Sequence, residues 1–240
     1  MISLFSLIPE YVDECIHQAR ERIRSYFENN KQVIVNFSFG KDSLLLTLLC
    51  YEVALQRNEL EKLVLQTVEL DDFLQHENAI RWGNYVKQRI PVKWILFRPT
   101  KIVHPIVLTI GLGQYAPSTL YPRCPWKNIY KTRALTYKRS LLGLRREESA
   151  RRNNLILNTS DLTFVPLHAV SDDCLWSYLE KNVHRINIDF NRLLEFYEGK
   201  KRDGCLFCPY NNEGYDHQWQ YELVARYRFF KDMLIKDNIL

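Results

Sequence analysis

Residues 38–43, which read Ser-Phe-Gly-Lys-Asp-Ser, have the residue types and the order needed to bind phosphate. An apolar, β-branched run at residues 33–35 precedes them and a leucine-rich stretch follows at once, which predicts a strand, a tight loop and a helix. The unpaired N–H groups and the dipole at the start of such a helix favour an anion, and Gly40 allows close approach of the backbone. Lys41 would add a cation, and the two serines would add hydroxyl donors.

The spacing of this loop differs from that of a magnesium-dependent P-loop. That motif needs Gly, four residues and then Gly-Lys-Ser/Thr, but Val35 occupies the first position and Asp42 the hydroxyl position. Transfer of a γ-phosphate is therefore not our first interpretation. A serine that merely caps a buried helix is the alternative, but capping alone does not require glycine and lysine in this order.

A second candidate segment begins where an apolar strand at residues 140–142 runs into Gly143. The polar helix start that follows carries Arg145 and Arg146, whose guanidinium groups can bind phosphates bidentately. An ordinary ion-paired helix start is the alternative reading. Three acidic residues at the carboxyl end of another predicted strand either face the nucleotide or its metal, or cap the next helix; they are Glu69, Asp71 and Asp72.

The six cysteines are not expected to form disulfides, which are rare in the cytoplasm. Each is therefore predicted to be a packed core residue, a metal ligand or a reactive thiol. Cys124 begins a basic helix, where a thiol has a lowered pKa and is a better nucleophile and ligand. Cys205 and Cys208 form a Cys-x-x-Cys turn, which can bind one metal or cluster or exchange sulfur. The remaining three are predicted to be core residues: Cys15, Cys50 and Cys174.

The elements that position these residues alternate along the chain. Predicted helices at 9–30, 42–56 and 76–89 alternate with predicted strands at 33–37, 63–70 and 92–97. With short connections, this alternation indicates an α/β fold with a doubly wound, mainly parallel sheet, right-handed crossovers and helices on both faces. Further along we predict an irregular insertion, a strand, a helix and a terminal helix, at residues 98–122, 154–158, 171–179 and 215–240.

We expect a single domain. Residues 1–30 form an N-terminal helix, residues 31–180 a nucleotide-binding core, and residues 181–240 a Cys-x-x-Cys loop with C-terminal helices. The net charge of +5 and the basic stretch at 127–152 are compatible with a polyanion surface, although a solvated helix face or an ATP site would also explain them. The sequence shows neither a membrane span nor a signal peptide, so we expect a cytoplasmic protein.

Residues 38–43 resemble the Ser-Gly-Gly-Lys-Asp-Ser pyrophosphate loop (PP-loop) of the adenine nucleotide α-hydrolase-like (HUP) enzymes. Phe39 replaces the first glycine of that pair, which we expect to be tolerated only if position 39 avoids positive φ. Residues 143–152 resemble the Gly-Val-Arg-Arg-x-Glu-Ser-x-x-Arg motif of the phosphoadenylyl-sulfate (PAPS) reductase superfamily, and Asp173, Trp176 and Tyr178 match its Asp-x-x-Trp-x-Tyr helix. The resemblance implies a nucleotide site formed by Ser38, Phe39, Gly40, Lys41, Asp42, Ser43, Gly143, Arg145, Arg146, Glu148 and Ser149.

Within this superfamily, Cys124 before a lysine-bearing helix and the late Arg-x-Gly-Cys-x-x-Cys resemble the ATP pyrophosphatase and sulfur-transfer component of DNA phosphorothioation systems of the Dnd and Ssp type. That resemblance implies ATP and Mg²⁺ as cofactors, and a cysteine desulfurase, DNA and other phosphorothioation proteins as partners. ATP would adenylate a DNA phosphate oxygen and release pyrophosphate, and sulfur would then displace AMP. The catalytic residues would be Lys41, Asp42, Arg145, Arg146, Cys124, Cys205 and Cys208, the three cysteines holding a [4Fe-4S] cluster or a persulfide.

Three other functions remain open. A PAPS or adenylyl-sulfate reductase shares the fold, but such an enzyme attacks with a late cysteine in a Glu-Cys-Gly-x-His context, and no cysteine follows Cys208. A tRNA thiolase would use the same activation chemistry and a similar basic surface. A non-catalytic subunit would bind ATP and a partner without turnover.

Overall fold

The computed structural model describes residues 9–68, 77–97, 140–148 and 164–197. Several sequence-based expectations fall outside these residues. They concern the acidic positions after the second strand, the insertion, the strand at 154–158 and the terminal helix, together with Cys124, Ser149, Cys205 and Cys208.

The described elements begin close to the predicted boundaries, because local hydrophobic periodicity sets them. The first helix was predicted at 9–30 and spans Pro9–Asn29. The helices are α1 (Pro9–Asn29), α2 (Lys41–Gln56), α3 (Glu77–Arg89), α4 (Asp172–Asn182) and α5 (Phe190–Tyr197). The strands are β1 (Val33–Asn36), β2 (Leu63–Val68), β3 (Lys93–Phe97) and β4 (Leu141–Leu142). Short 3₁₀ turns span Leu60–Lys62, Arg146–Glu148 and Val183–Ile186.

The four strands form one sheet in the order β3-β2-β1-β4. β1 pairs in parallel with β2 on one side and with β4 on the other, with Val35 opposite Leu65 and Leu141. These parallel pairings and the intervening helices confirm the predicted α/β fold. β1 lies inside the sheet, with β2 on one side and β4 on the other. The strand order therefore reverses direction between β1 and β4. Open α/β sheets bind ligands at such a topological switch point, outside the carboxyl ends of the two strands.

The core lies around β1 and α2. Eleven residues of α2 are buried, so this helix is apolar on most sides, as expected for a helix that covers a parallel sheet. α1 contacts both α2 and α4. Cys15, Cys50 and Cys174 are buried and form no disulfide, which confirms that they are core residues, and burial raises the pKa of the Cys50 thiol.

One carboxylate lies inside this packing. Glu52, in α2, is only 6% exposed. Its oxygens accept hydrogen bonds from Arg20 Nη2 of α1 at 2.7 Å and from Arg185 Nη1 at 2.8 Å. The hydroxyl of Tyr178 in α4 donates to it at 2.7 Å, and burial together with this carboxylate raises the pKa of Tyr178. One buried charge therefore connects α1, α2, α4 and the 3₁₀ turn after α4.

The chain divides into two compact units. The larger contains Met1–Thr67, Gly83–Leu96 and Tyr137–Leu193, and the smaller contains Val68–Trp82, Phe97–Thr136 and Leu194–Leu240. In the smaller unit, the rings of Trp82 and Phe196 stack with centroids 5.3 Å apart. Among the helices of the described residues, none combines the length and the apolar character that a membrane crossing requires. The expectation of a single domain stays a prediction.

Candidate functional site

Three segments of the larger unit meet at the carboxyl ends of β1 and β4. The first is the turn that leads from β1 into α2, at residues 37–43, which we call the PP-loop segment. The second follows β4 and includes Gly143 and Arg145. The third is the start of α4, where the Ser171 side chain accepts a hydrogen bond from the Cys174 N–H and so caps the helix. Parallel pairing of β1 with β4 therefore brings together the two segments that the sequence analysis singled out, at residues 38–43 and after Gly143.

The start of α2 has the polarity that binds an anion. Its N-cap is Gly40, in extended conformation, which has no side chain that could cap the first turn. The Ser43 hydroxyl points inward instead: it donates to the Gly40 carbonyl at 2.9 Å and accepts from the Ser38 N–H at 3.2 Å. The predicted hydroxyl donor Ser43 thus holds the loop in shape, and the helix dipole and backbone N–H groups are what the loop offers to a phosphate.

The expectation for Phe39 is wrong. Its φ is 61°, in the left-handed region that a bulky residue rarely adopts and that costs about 1–2 kcal/mol. Its ring compensates by packing at an edge against Phe37, with centroids 5.2 Å apart, and by stacking parallel to Trp94 at 6.1 Å. Each aromatic pair contributes roughly 0.5–1.5 kcal/mol beyond its buried area, so the ring contacts offset the backbone strain.

Gly143 lies directly against the PP-loop segment. A Cβ placed there would stand 2.9 Å from the carbonyl carbon and oxygen of Asp42 and 3.0 Å from the Ser43 nitrogen. These are backbone atoms of the first turn of α2, which cannot rotate away as a flexible side chain could. Glycine is therefore required at this position by close approach of the loop after β4 to the anion-binding turn.

We expect Gly143→Ala to displace the start of α2 and to weaken ATP binding, with a loss of turnover of about a hundredfold, as a displacement near 1 Å produces. Isothermal titration with ATP checks the first effect. Gly83→Ala is the matched control, because a Cβ at this buried glycine of α3 meets only the Phe39 ring at 3.7 Å. Equal ATP affinity in both variants would contradict this account of Gly143.

Arg145 is buried, with 2% of its surface exposed, and it connects the three segments. Its Nε donates to Asp42 Oδ1 at 2.5 Å, its Nη2 to Asp172 Oδ1 at 2.7 Å and its Nη1 to the Val170 carbonyl at 3.4 Å. Burial alone would lower the pKa of Arg145, but the charges of Asp42 and Asp172 outweigh it and raise this pKa. Arg145 was predicted to bind phosphate, but each of its three guanidinium nitrogens donates a hydrogen bond to a protein oxygen. It is therefore a positioning residue.

Lys41 lies at the open side of the site. Its Nζ bonds Asp172 Oδ1 at 2.5 Å and stands 5.0 Å from the centroid of the Trp176 ring. Burial opposes ionisation of Asp172, but the hydrogen bonds and charges of Lys41 and Arg145 prevail and lower its pKa. The carboxylate therefore holds the lysine ammonium at the start of α2, over the aromatic face of Trp176.

Arg146 and Glu148, which were also predicted at the site, form hydrogen bonds with backbone groups. The Arg146 N–H donates to the His168 carbonyl at 3.1 Å, and the charge of Arg146 acts on Arg22 and His168. The Glu148 carboxylate accepts the Arg145 N–H at 3.1 Å, and the neighbouring Glu147 accepts the Asp172 N–H at 2.8 Å. Both acidic residues thus satisfy backbone donors at the turns that carry the site.

Asp172 is the residue that sequence reasoning missed. It follows the N-cap of α4, and an acidic residue there is explained by the helix dipole alone. The only signal was its proximity in sequence to Asp173, which the superfamily motif singles out. Its role depends on contacts with Lys41 and Arg145, both distant in sequence, and no local pattern encodes them.

The site suits a phosphate group better than a metal ion held by protein ligands. Arg145 neutralises Asp42, and Asp172 is shared by two cations. A Mg²⁺ ion would then be held mainly by nucleotide phosphates and water, as this ion commonly is. No group of three or more His, Cys, Asp or Glu side chains that could hold a metal occurs among the described residues. Cys124, Cys205 and Cys208, for which we expected a cluster or persulfide, lie outside them.

The family model of the phosphoadenosine phosphosulfate reductase domain matches residues 32–210, well over half of the chain. The chain belongs to this family. The matched range includes the PP-loop segment, Gly143, Arg145 and the start of α4, so the family assignment and the geometry agree on a nucleotide-utilising PP-loop domain. No curated protein matches the chain.

Solved structures similar to this chain include two NAD synthetases. One is the NH3-dependent NAD synthetase from Campylobacter jejuni subsp. jejuni NCTC 11168 in complex with the nitrate ion, with 14% identity, a TM-score of 0.44 and 77% of each chain covered. The other is the glutamine-dependent NAD+ synthetase from Acinetobacter baumannii in complex with adenosine diphosphate, with 13% identity and a TM-score of 0.46, where the match covers 90% of this chain and 44% of the other.

Proposed function

We propose that this protein is an ATP pyrophosphatase that activates a DNA backbone phosphate for sulfur insertion, together with a cysteine desulfurase. The observation that carries the ATP pyrophosphatase part is the uncapped start of α2 at Gly40, with the Lys41 ammonium beside it. Backbone N–H groups, a helix dipole and a lysine ammonium at one point suit a leaving group that carries several negative charges.

The reaction has two displacements. In the first, a non-bridging oxygen of the DNA phosphate attacks the α-phosphorus of ATP, the bond from that phosphorus to the bridging oxygen breaks, and pyrophosphate leaves into the PP-loop segment. In the second, the terminal sulfur of a persulfide supplied by the desulfurase attacks the adenylylated DNA phosphorus and AMP leaves. A second thiol, such as that of the excess cysteine, then cleaves the sulfur–sulfur bond, which leaves the phosphorothioate on the DNA and a disulfide between the two thiols. Lys41 and the N–H groups of α2 would stabilise the charge that develops on the leaving pyrophosphate.

The DNA acceptor and the sulfur chemistry are supported by sequence features. The chain carries a net charge of +5, which favours a polyanionic partner. The layout of Cys124, Cys205 and Cys208 resembles that of the sulfur-transfer component of phosphorothioation systems. A [4Fe-4S] cluster or a persulfide on these cysteines would bring the sulfur, and the cysteine desulfurase would supply it.

The test combines the purified chain with ATP, Mg²⁺, duplex DNA, a cysteine desulfurase and cysteine. We expect AMP and pyrophosphate in equal amounts, release that depends on DNA, and phosphorothioate dinucleotides in the digested DNA by mass spectrometry. Replacement of DNA by tRNA in a parallel reaction tests the thiolase alternative. ATP binding without any turnover, with either nucleic acid, would contradict the proposal and favour a nucleotide-sensing subunit.

A reductase is the second candidate, because the family model that matches the chain is that of the phosphoadenosine phosphosulfate reductase domain. A reductase would bind a sulfated adenylyl nucleotide and release sulfite with thioredoxin as reductant, and it would need no ATP. Sulfite production from adenylyl sulfate or its 3′-phosphate, in the absence of ATP, would favour this candidate over the first.

A further inference from the structure

Three basic side chains form a second cluster in the larger unit, outside the contacts of the PP-loop segment. Arg22 comes from α1, Arg146 from the turn after β4, and His168 from the turn that precedes α4. The Arg22 Nη1 donates to the Pro166 carbonyl at 3.4 Å, and the Arg146 N–H donates to the His168 carbonyl at 3.1 Å. Three separate segments of the chain thus converge on this cluster, which we call the Arg22 cluster.

The Arg22 cluster has no negatively charged side chain beside it in the part of the chain that the structure describes. Among the described residues, no carboxylate pairs with Arg22 or Arg146, whereas Arg20, Arg145 and Arg185 all have carboxylate partners. Burial and the nearby charge of Arg146 lower the pKa of Arg22. Burial, Arg22 and Arg146 together lower the pKa of His168 to about 4. The described residues therefore hold two arginine charges close together and supply none of the counter-charge that such an arrangement ordinarily has.

Two polar atoms of the cluster are also left without partners. His168 is only 4% exposed, and its Nδ1 has no hydrogen-bond partner. The Nε of Arg146 is buried and has none either. Buried polar groups in native proteins almost always have a hydrogen-bond partner, so two orphaned nitrogens within one charged cluster indicate that a ligand completes it.

We propose that Arg22, Arg146 and His168 form a binding subsite for a phosphate group, separate from the PP-loop segment. A guanidinium group presents its N–H donors in a planar arrangement that matches the oxygens of phosphate, and two of them converge here. A bound anion would supply negative charge and accept hydrogen bonds from the Arg146 Nε and from the Nδ1–H of the neutral His168 ring. No residue of this subsite takes part in the contacts of Lys41 with Asp172.

The phosphate could belong to a small molecule or to a nucleic-acid backbone. Arg146 directly follows Arg145, which is bonded to Asp42 of the PP-loop segment, so the subsite lies beside the nucleotide site along the chain. If the acceptor is DNA, a phosphate of its backbone would occupy the subsite and fix the register of the strand. This assignment to DNA rests on the proposed function, whereas the subsite itself does not.

NMR spectra of the histidine-labelled protein, titrated with inorganic phosphate, test the subsite. The His168 ring resonance reports on phosphate bound beside it and not on phosphate bound at the PP-loop segment. His168→Gln identifies the resonance. We expect a saturable shift of that resonance, with the affinity for phosphate lowered about tenfold to a hundredfold in Arg22→Gln and partly restored in Arg22→Lys. Arg24→Gln, a change on the same helix at a residue paired with Glu21, is the matched control and should leave the affinity unchanged.

Fluorescence anisotropy with a short DNA duplex then separates the two sources of phosphate. If the backbone occupies the subsite, Arg22→Gln lowers DNA affinity and reduces the slope of log affinity against log salt by about one, and Arg24→Gln does not. An unchanged DNA affinity assigns the subsite to a small phosphate. The subsite is contradicted if the His168 resonance does not shift with phosphate, or if it shifts with the same affinity in the Arg22→Gln protein. If the resonance shifts as expected but DNA does not stimulate pyrophosphate release, only the proposed function is contradicted.

Discussion

Replacement of Lys41 by alanine is expected to lower pyrophosphate release by about two to three orders of magnitude, the usual cost of losing one donor that stabilises developing charge. Lys41 contacts Asp172, and Asp172 keeps its bond to Arg145 when the lysine is removed. The loop should therefore retain its shape. The loss should appear in turnover and in ATP affinity, with the free energy of unfolding nearly unchanged.

Two measurements on the Lys41→Ala protein separate the possible causes. Equilibrium binding of ATP reports on the site without any acceptor, and release of pyrophosphate reports on the reaction. Lys181→Ala provides the control, because this exposed lysine lies in the last turn of α4, the helix that carries Asp172. If Lys41→Ala binds ATP and releases pyrophosphate as the control does, Lys41 is not part of the site.

The strand, loop and helix around Gly40 could be predicted from the sequence because their determinants are local. Residues 33–36 are apolar and β-branched apart from the last, and the leucine-rich run predicts a helix that covers the sheet. Gly143 marks the place where the backbone must approach closely. Parallel pairing of β1 with β4 then brings both turns to one edge, as the predicted topology implies.

The conformation of Phe39 could not be predicted in this way. A local rule assigns positive φ to glycine, so the replacement suggested a residue that avoids it. The structure overrides the rule through Phe37, which packs at an edge against the ring, and through Trp94, which is far away in sequence and stacks on it. Tertiary packing decides the backbone here, and a single-sequence pattern carries no information about that packing.

The role of Arg145 shows the same limit. Its residue type and position after Gly143 predicted a group that binds phosphate. The structure instead connects it to Asp42 and Asp172, which are 103 and 27 residues away in sequence. A guanidinium group binds carboxylates and phosphates with the same geometry, so residue type alone cannot distinguish a clamp for a ligand from an internal brace.

Glu52 is the residue whose loss should most affect stability. We expect Glu52→Ala to lower the free energy of unfolding by roughly 3 kcal/mol, as removal of one partner from a buried ion pair does. Arg20 would lose its carboxylate partner while its side chain stays 26% exposed, and the Tyr178 hydroxyl would lose its acceptor. Arg185 is half exposed and can return to water, which keeps the expected loss at the lower end of the range for buried pairs.

Urea unfolding followed by far-UV circular dichroism measures this loss, with Glu59→Ala as the matched control. Glu59 also has two basic partners, Arg57 and Lys62, but its side chain is 21% exposed against 7% for Glu52, so solvent screens these pairs more and the control should lose less. Glu52→Gln should fall between the two, since an amide oxygen can still accept the hydrogen bond of Tyr178. Equal stability of the Glu52→Ala and Glu59→Ala proteins would show that the buried carboxylate does not connect α1, α2 and α4. The signal for this role is already in the sequence, because a lone carboxylate within an otherwise apolar helix is buried only when it is paired.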